Sequence, residues 1–251
     1  MAAIQLERAW SAIARPVRPY SRAVHRTVLR VPARVECPVC GCSGVRFQAS
    51  RKPRRPNRIC PGCKSTERYR ALQLYLTERG PVPPGTRLLE VAPIHTVRAT
   101  AERLGYEYSS VDLRSAKALV HGDLCALPYA DGAFDVVVCF HVLEHVPDDL
   151  TAVQELARVV GADGDVIVVV PRDRRLAETF EDPDADPADY ERLYGQSDHV
   201  RMYGEDVTAR WVPTGVAIEE VPWTACFTPD QHARAALTGD DDRFWLLRAG
   251  A

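Results

Sequence analysis

Four of the eight cysteines in this 251-residue chain form two Cys-x-x-Cys pairs, Cys37-Pro-Val-Cys40 and Cys60-Pro-Gly-Cys63, with nineteen residues between them. Two tight knuckles carrying four thiolates match a structural zinc site, which leaves no coordination position for water. Cys37, Cys40, Cys60 and Cys63 are therefore the expected ligands of a structural Zn2+. Cys42 follows too closely to join the first knuckle. Cys125 and Cys139 lie in segments that read as buried. Such thiol usage fits a reducing, cytoplasmic compartment rather than a disulfide scaffold. Around the second half of this segment stand Arg46, Arg51, Lys52, Arg54, Arg55 and Arg58. A basic loop of this kind can contact phosphates, meet an acidic body, or simply be solvated.

A second group of residues could hold a nucleoside. Glu90 lies in Leu88-Leu89-Glu90-Val91, Asp112 follows 22 residues later, and Asp123 stands in His121-Gly122-Asp123-Leu124. Carboxylates at neighbouring strand ends can accept hydrogen bonds from ribose hydroxyls and an exocyclic amine. A single one could equally cap a helix; three at such ends make a stronger pattern. Further on, His141 and His145 flank Glu144, and histidine is the commonest general base. His145 reads as a packed or capping residue. His199, with Asp198, Arg201 and Tyr203 nearby, reads as a base or substrate contact, or else as a packed residue. Arg201 could grip a carboxylate or phosphate in a fork. His199 and His141 are the candidate catalytic residues.

The elements that must position these groups follow from patterning. Residues 65–79 predict a helix capped by Ser65 or Thr66, with Tyr69, Leu72 and Leu76 as its apolar stripe and Gly80-Pro81 as its stop. From residue 86 strand and helix signals alternate. Strands are expected at 88–91, 108–111, 119–121, 134–140 and 166–170, and weaker ones at 216–221 and 244–248. Helices are expected at 95–104 and from Asp148 or Asp149 to Val160, followed by a glycine-marked connection at Gly161 and Gly164. The uninterrupted apolar run at 134–140 predicts a central parallel strand buried on both faces. The rhythm predicts an α/β sheet with helices on both faces. The domain organisation expected is a basic arm at 1–34, a zinc module at 35–64, a helix and linker at 65–84, and the α/β domain at 85–251. The arm reads as a helical segment packed on the body or partly disordered, with a membrane-surface segment as the alternative.

Taken together, Leu-Leu-Glu90-Val-Ala, Val-Asp112, His-Gly-Asp123-Leu-Cys-Ala-Leu-Pro128, Phe134-Asp135-Val-Val-Val, Phe-His141-Val-Leu-Glu144-His145-Val and Glu155-Leu-Ala-Arg-Val-Val-Gly resemble a class I S-adenosylmethionine-dependent methyltransferase. The branch is the one with the ubiquinone/menaquinone-type ("type 11") enzymes, and the likeness covers residues 85–172. It implies a doubly wound, Rossmann-like, mostly parallel seven-stranded sheet with S-adenosyl-L-methionine as cofactor. It also implies Asp112, with Leu113 beside it, on the ribose, and Asp123 near the adenine amine. The Leu124 main chain would lie on the adenine edge and the His141 segment beside the methionine moiety. Glu90, Ala92 and Pro93 would form the methionine turn. There the chain departs from the family: Glu90-Val-Ala-Pro-Ile-His95 replaces Glu-x-Gly-x-Gly. Glycines allow close backbone approach, and Pro93 removes an amide donor. A rewired pocket is preferred to a crippled one, because the other acids are in place. The same turn argues against a dinucleotide oxidoreductase.

Composition narrows the classes further. The net charge of −2 hides +13 in residues 1–70 and −15 in residues 71–251, as expected of two modules that dock or serve different partners. No apolar run approaches the ~18–20 residues of a membrane span. Three functions follow. The favoured one is methyl transfer to a small-molecule acceptor. The second is RNA methylation with the basic ribbon as reader. Against it, the fourth strand ends Cys139-Phe-His-Val, unlike the Asn/Asp-Pro-Pro-aromatic of exocyclic-amine methylases. The third is a non-catalytic scaffold.

Overall fold

The computed structural model describes residues 34–51, 55–238 and 242–248. The expected arm at 1–34 and the middle of the basic loop fall almost wholly outside them. The first elements are two short antiparallel strands, β1 (Val35–Glu36) and β2 (Ser43–Gly44). They frame the first cysteine knuckle, and the bridge Gln48↔Ile59 leads to the second. Helix α1 (Glu67–Glu78) follows, then β3 (Arg87–Val91), α2 (His95–Leu104), β4 (Glu107–Asp112), β5 (Val120–His121) and β6 (Phe134–Phe140). Next come α3 (Asp149–Val159) and β7 (Val160–Val169). Short helices α4 (Tyr190–Tyr194) and α5 (Val207–Trp211) precede β8 (Ala217–Pro222). Helices α6 (Trp223–Cys226) and α7 (Pro229–Ala235) lead to β9 (Arg243–Arg248).

The large sheet has seven strands in the order β5-β4-β3-β6-β7-β9-β8. Its pairs are parallel except those of β9, which runs antiparallel to both β7 and β8. The chain starts at the centre, winds outward through β4 and β5, then returns to β6 on the other side of β3. Reversal of winding opens a crevice beyond the carboxyl ends of β3 and β6. β6 is buried along almost its whole length, because both sheet faces are covered. Leu72 and Leu76 of α1 pack with Val97 of α2, Trp223 and Phe244 on one face. Val153 and Leu156 of α3 pack with Tyr203, Trp211 and Trp245 on the other.

Three local expectations are corrected. Helix α1 begins at Glu67, and the Thr66 side chain does not cap it. Ser65 turns instead toward the cysteines, its Oγ lying 3.3 Å from Cys37 Sγ and 3.2 Å from Cys63 Sγ. β7 starts at Val160, so Gly161 and Gly164 lie inside a strand. A Cβ on Gly164 would come within 2.6 Å of the Asp135 carbonyl, so the glycine serves close approach rather than a break. Cys139 is buried as expected, but Cys125 is only half-buried.

Candidate functional site

The two knuckles share one backbone design. Gly41 N donates to Cys37 O at 2.8 Å and Lys64 N to Cys60 O at 2.9 Å. Each knuckle closes on a left-handed residue, Gly41 at φ 70° and Lys64 at φ 65°. The four sulfurs converge to within 4.8 Å of one another, with Cys37–Cys63 at 3.6 Å and Cys40–Cys60 at 3.7 Å. Four Zn–S bonds of ~2.3 Å place the sulfurs roughly 3.8 Å apart along a tetrahedron's edges. The donor set therefore fits the ion that the spacing predicts.

This module docks on the α/β body. Arg70 of α1 is fully buried. It donates to the carbonyls of Arg58 (2.9 Å) and Ser65 (2.8 Å) on one side and of Ala235 (2.5 Å) and Ala236 (3.0 Å) on the other. Arg58 turns inward to Glu67, Nη1 to Oε1 2.8 Å. Arg103 of α2 donates to the Val39 and Pro38 carbonyls. His95, at the start of α2, donates through Nε2 to Cys63 O at 2.7 Å.

At the switch point both strands end in left-handed, non-glycine residues: Ala92 after β3 (φ 54°) and His141 after β6 (φ 56°). Ala92 thus adopts the conformation a glycine would take. The register places these ends side by side, with Val91 opposite Val111 and Cys139. Glu90, 2% exposed, organises the turn. Its Oε1 accepts from Ile94 N (2.9 Å), beyond the donor-less Pro93, and its Oε2 accepts from Tyr108 OH (2.6 Å). Burial pushes its carboxyl up to about 7, against both hydrogen bonds. Glu90 thus braces the turn from within.

Asp112 ends β4, and its Oδ1 accepts from Arg114 N and Ser115 N. Leu113 is exposed. Asp123, also exposed, follows β5 and accepts from Cys125 N at 2.9 Å, while Leu124 is buried. These positions occupy the carboxyl edge of adjoining strands, as predicted.

His141 has a polar neighbour at each ring nitrogen. Arg68 Nη1 donates to its Nε2 at 2.5 Å, and its Nδ1 lies 3.2 Å from Glu144 Oε1. Nothing in the spacing of the sequence marked Arg68; it enters through the docking of α1. Beyond His141 the chain turns through a single 3-10 turn, Leu143–His145. His145 Nδ1 lies 3.0 Å from the Asp198 carbonyl. His199, 3% exposed, has Nδ1 3.2 Å from the Tyr194 carbonyl. The two rings meet edge to face at 4.6 Å. Burial pushes His199 below the usual histidine range, with Glu144 pulling the other way. His145, expected as a packed or capping group, packs edge to face on His199, next in sequence to Glu144.

Arg201 and Tyr203 correct the reading of that loop. Arg201 is fully buried and donates to the carbonyls of Leu143, Val146 and Pro147 and to Glu181. Its fork is consumed in holding the turn that carries Glu144 and His145. Tyr203 is likewise buried, its hydroxyl donating to Asp149 at 2.8 Å. Asp149 also accepts from Arg210 and Trp211. Burial raises its carboxyl, but these donors and Arg201 outweigh it and hold it below the usual range. Asp148, not Asp149, caps α3, accepting from Thr151 N.

Among the described residues no helix is long and apolar enough to cross a membrane. Residues 82–168 match the family model described as a methyltransferase domain. Demethylmenaquinone methyltransferase of Bacillus licheniformis is 39% identical over 67 residues, which are 27% of this chain and 26% of that protein. Ajmaline N-methyltransferase of Rauvolfia serpentina is 38% identical over 48 residues, 19% of this chain and 16% of that protein. The chain thus spans about a quarter or less of the length of these curated relatives. Among solved structures, the YcgJ protein of Bacillus subtilis aligns with TM-score 0.45 and 18% identity over 72% of this chain and 99% of its own. Residues 82–168, which run from the approach to β3 through most of β7 of the mostly parallel sheet, are thus similar to a methyltransferase domain, as the resemblance in the sequence implies.

Proposed function

We propose that the chain transfers a methyl group from S-adenosyl-L-methionine to an oxygen or nitrogen nucleophile of a small-molecule acceptor. The observation that carries this reading is the switch point. Two left-handed residues, Ala92 and His141, turn the chain sharply at the ends of β3 and β6, while Asp112 ends β4 with Leu113 beyond it, and Asp123 and Leu124 follow β5. Asp112 has Oδ1 occupied by the backbone and Oδ2 left for a ribose hydroxyl. Asp123 and the Leu124 main chain serve the adenine. Ala92 and Pro93 form the methionine turn, and Glu90 fixes it without needing to touch ligand. The cofactor, when bound, supplies an electrophilic methyl on a sulfonium.

The chain's own part is to hold the nucleophile in line, and orientation of this kind can be worth ~7–11 kcal/mol. The acceptor side is assigned to the turn after β6 and to His199. His141, oriented by Arg68, stands at the junction of the two sides, and His199, whose burial disfavours the charged ring, can take the acceptor's proton. The four-cysteine module is read as a structural zinc ribbon that braces α1 and α2. A small molecule is preferred to RNA because Arg58 is turned into the interface and the ribbon is bound to the body at several carbonyls. The matched relatives named for menaquinone and ajmaline point the same way.

Calorimetric titration of the zinc-loaded chain with S-adenosylmethionine and S-adenosylhomocysteine tests the reading. Micromolar binding, weakened at least tenfold by Asp112→Ala, is expected. A folded, zinc-replete chain that binds neither compound is a scaffold and not an enzyme. Steeply salt-dependent RNA binding would instead make RNA the acceptor.

A further inference from the structure

One side-chain cluster is not absorbed by cofactor binding. Glu144, His145 and His199 each bring a potential ligand atom within 4.8 Å of the others. Glu144 is 1% exposed, and neither of its oxygens accepts a hydrogen bond. His141 Nδ1 approaches Oε1 to 3.2 Å without the alignment of one. A buried carboxylate left in this way is costly unless a cation or donor meets it. His199 Nε2 is also buried and unpartnered.

The two histidines are oriented alike. Each turns Nδ1 toward a backbone carbonyl, Tyr194 for His199 and Asp198 for His145. With the proton on Nδ1, each presents a bare Nε2 lone pair. Metal-binding histidines are held in this manner, the second nitrogen donating to a carbonyl or carboxylate. We propose that Glu144, His145 and His199 form a binding site for a divalent transition-metal ion of the zinc class. Two imidazoles and one carboxylate are a known donor set for such ions and leave coordination positions open. Bonds of about 2.0–2.2 Å draw ligand atoms to roughly 3–4 Å apart, so the three side chains close by rotation around the ion.

The turn is built to stand this. Arg201 ties down three of its carbonyls, and Val200 N donates to the Glu144 carbonyl at 2.9 Å. The open positions suit an acceptor hydroxyl, whose acidity the ion raises; its proton then leaves to solvent, and the ion takes over the part that His199 has as base in the metal-free site. That last role rests on the proposed methyl transfer, whereas binding of the ion does not.

The experiment is a metal count by plasma mass spectrometry on the full chain equilibrated with Zn2+, beside Glu144→Gln and His145→Ala. Two equivalents are expected for the unchanged chain and one for each variant. Cobalt substitution provides a readout of the unchanged chain alone. The ribbon's Co2+ gives sulfur-to-metal charge transfer, and the second equivalent adds only weak ligand-field bands. A single equivalent that Glu144→Gln abolishes keeps this site and removes the ribbon's ion. A single equivalent that survives both variants, or a second one insensitive to them, overturns the proposal. Failure of S-adenosylmethionine binding with the count intact would strike only the methyl-transfer reading.

Discussion

At the scale of single residues, Glu90 is held inside the fold by two donors, Ile94 N and the Tyr108 hydroxyl. The sequence placed it within the first strand, where it lies, but did not show the two donors that close around it, because Tyr108 and Ile94 are brought there by tertiary packing. Its pH dependence follows. The folded chain keeps the Glu90 proton up to about 7, whereas an unfolded chain releases it near the ordinary glutamate value. Stability is therefore greatest below that ordinary value and falls as pH climbs to about 7, by up to ~3 kcal/mol for this group. Glu90→Gln keeps the shape and removes the titration. In urea denaturation at pH 5 and pH 8, the variant should gain on the unchanged chain at the higher pH; parallel pH profiles would show that Glu90 is not the cause. Ala92 gives a second test. A left-handed L-residue costs roughly 1–2 kcal/mol, and glycine loses part of that advantage to chain entropy. Ala92→Gly should leave stability unchanged or raise it by up to ~1 kcal/mol, read as a shift in the denaturation midpoint at constant slope.

At the scale of elements, the parallel strands were legible because burial on both faces demands continuous apolar runs, as in 134–140. Helices α2 and α3 were legible through spacing and caps. Helices α4 to α7 were not, since four to seven residues carry no periodicity. Arg201 and Tyr203 were misjudged for a related reason: a polar-aromatic loop reads the same whether it faces substrate or folds inward. Here it folds inward. Arg201 bolts the Leu143–His145 turn, and Glu181 of the acidic loop bonds to both Arg201 and Arg210. Removing a buried cation that satisfies several carbonyls leaves each one unpaired, so the loss exceeds that of a surface ion pair. Arg201→Met should destabilise the chain by about 3 kcal/mol in chemical denaturation. Arg192→Met, at an exposed arginine paired with exposed Asp189, should cost about 0.5 kcal/mol or less. Equal costs would mean that the turn holds its shape without Arg201.

At the scale of the whole molecule, two contacts join the cysteine module and its following helix to the switch point. They lie near the ends of β3 and β6. Cys63 O receives His95 at the start of α2, just past the Ala92-Pro93 turn. Three residues beyond Ser65, Arg68 reaches His141 after β6. The second knuckle thus touches one wall of the switch point through His95, and α1, which follows it, reaches the other through Arg68; on the proposed reading, metal in the cysteine module and cofactor affinity are coupled. Binding that needs an ordered knuckle is weakened when the knuckle is free, by the energy of the hydrogen bonds that a loose knuckle does not make. Two hydrogen bonds of ~1 kcal/mol each amount to roughly a tenfold to thirtyfold change. Cys40→Ser removes one exposed sulfur ligand and spares the Glu144 cluster, unlike a chelator, which would strip both. The variant should keep the far-ultraviolet dichroism of the large sheet, lose the ribbon's zinc, and bind S-adenosylmethionine at least tenfold more weakly. His95→Ala, with zinc retained, should show a smaller part of the same loss. If the zinc-depleted, folded variant binds as tightly as the parent, the ribbon is an independent module, and His95 and Arg68 serve docking alone.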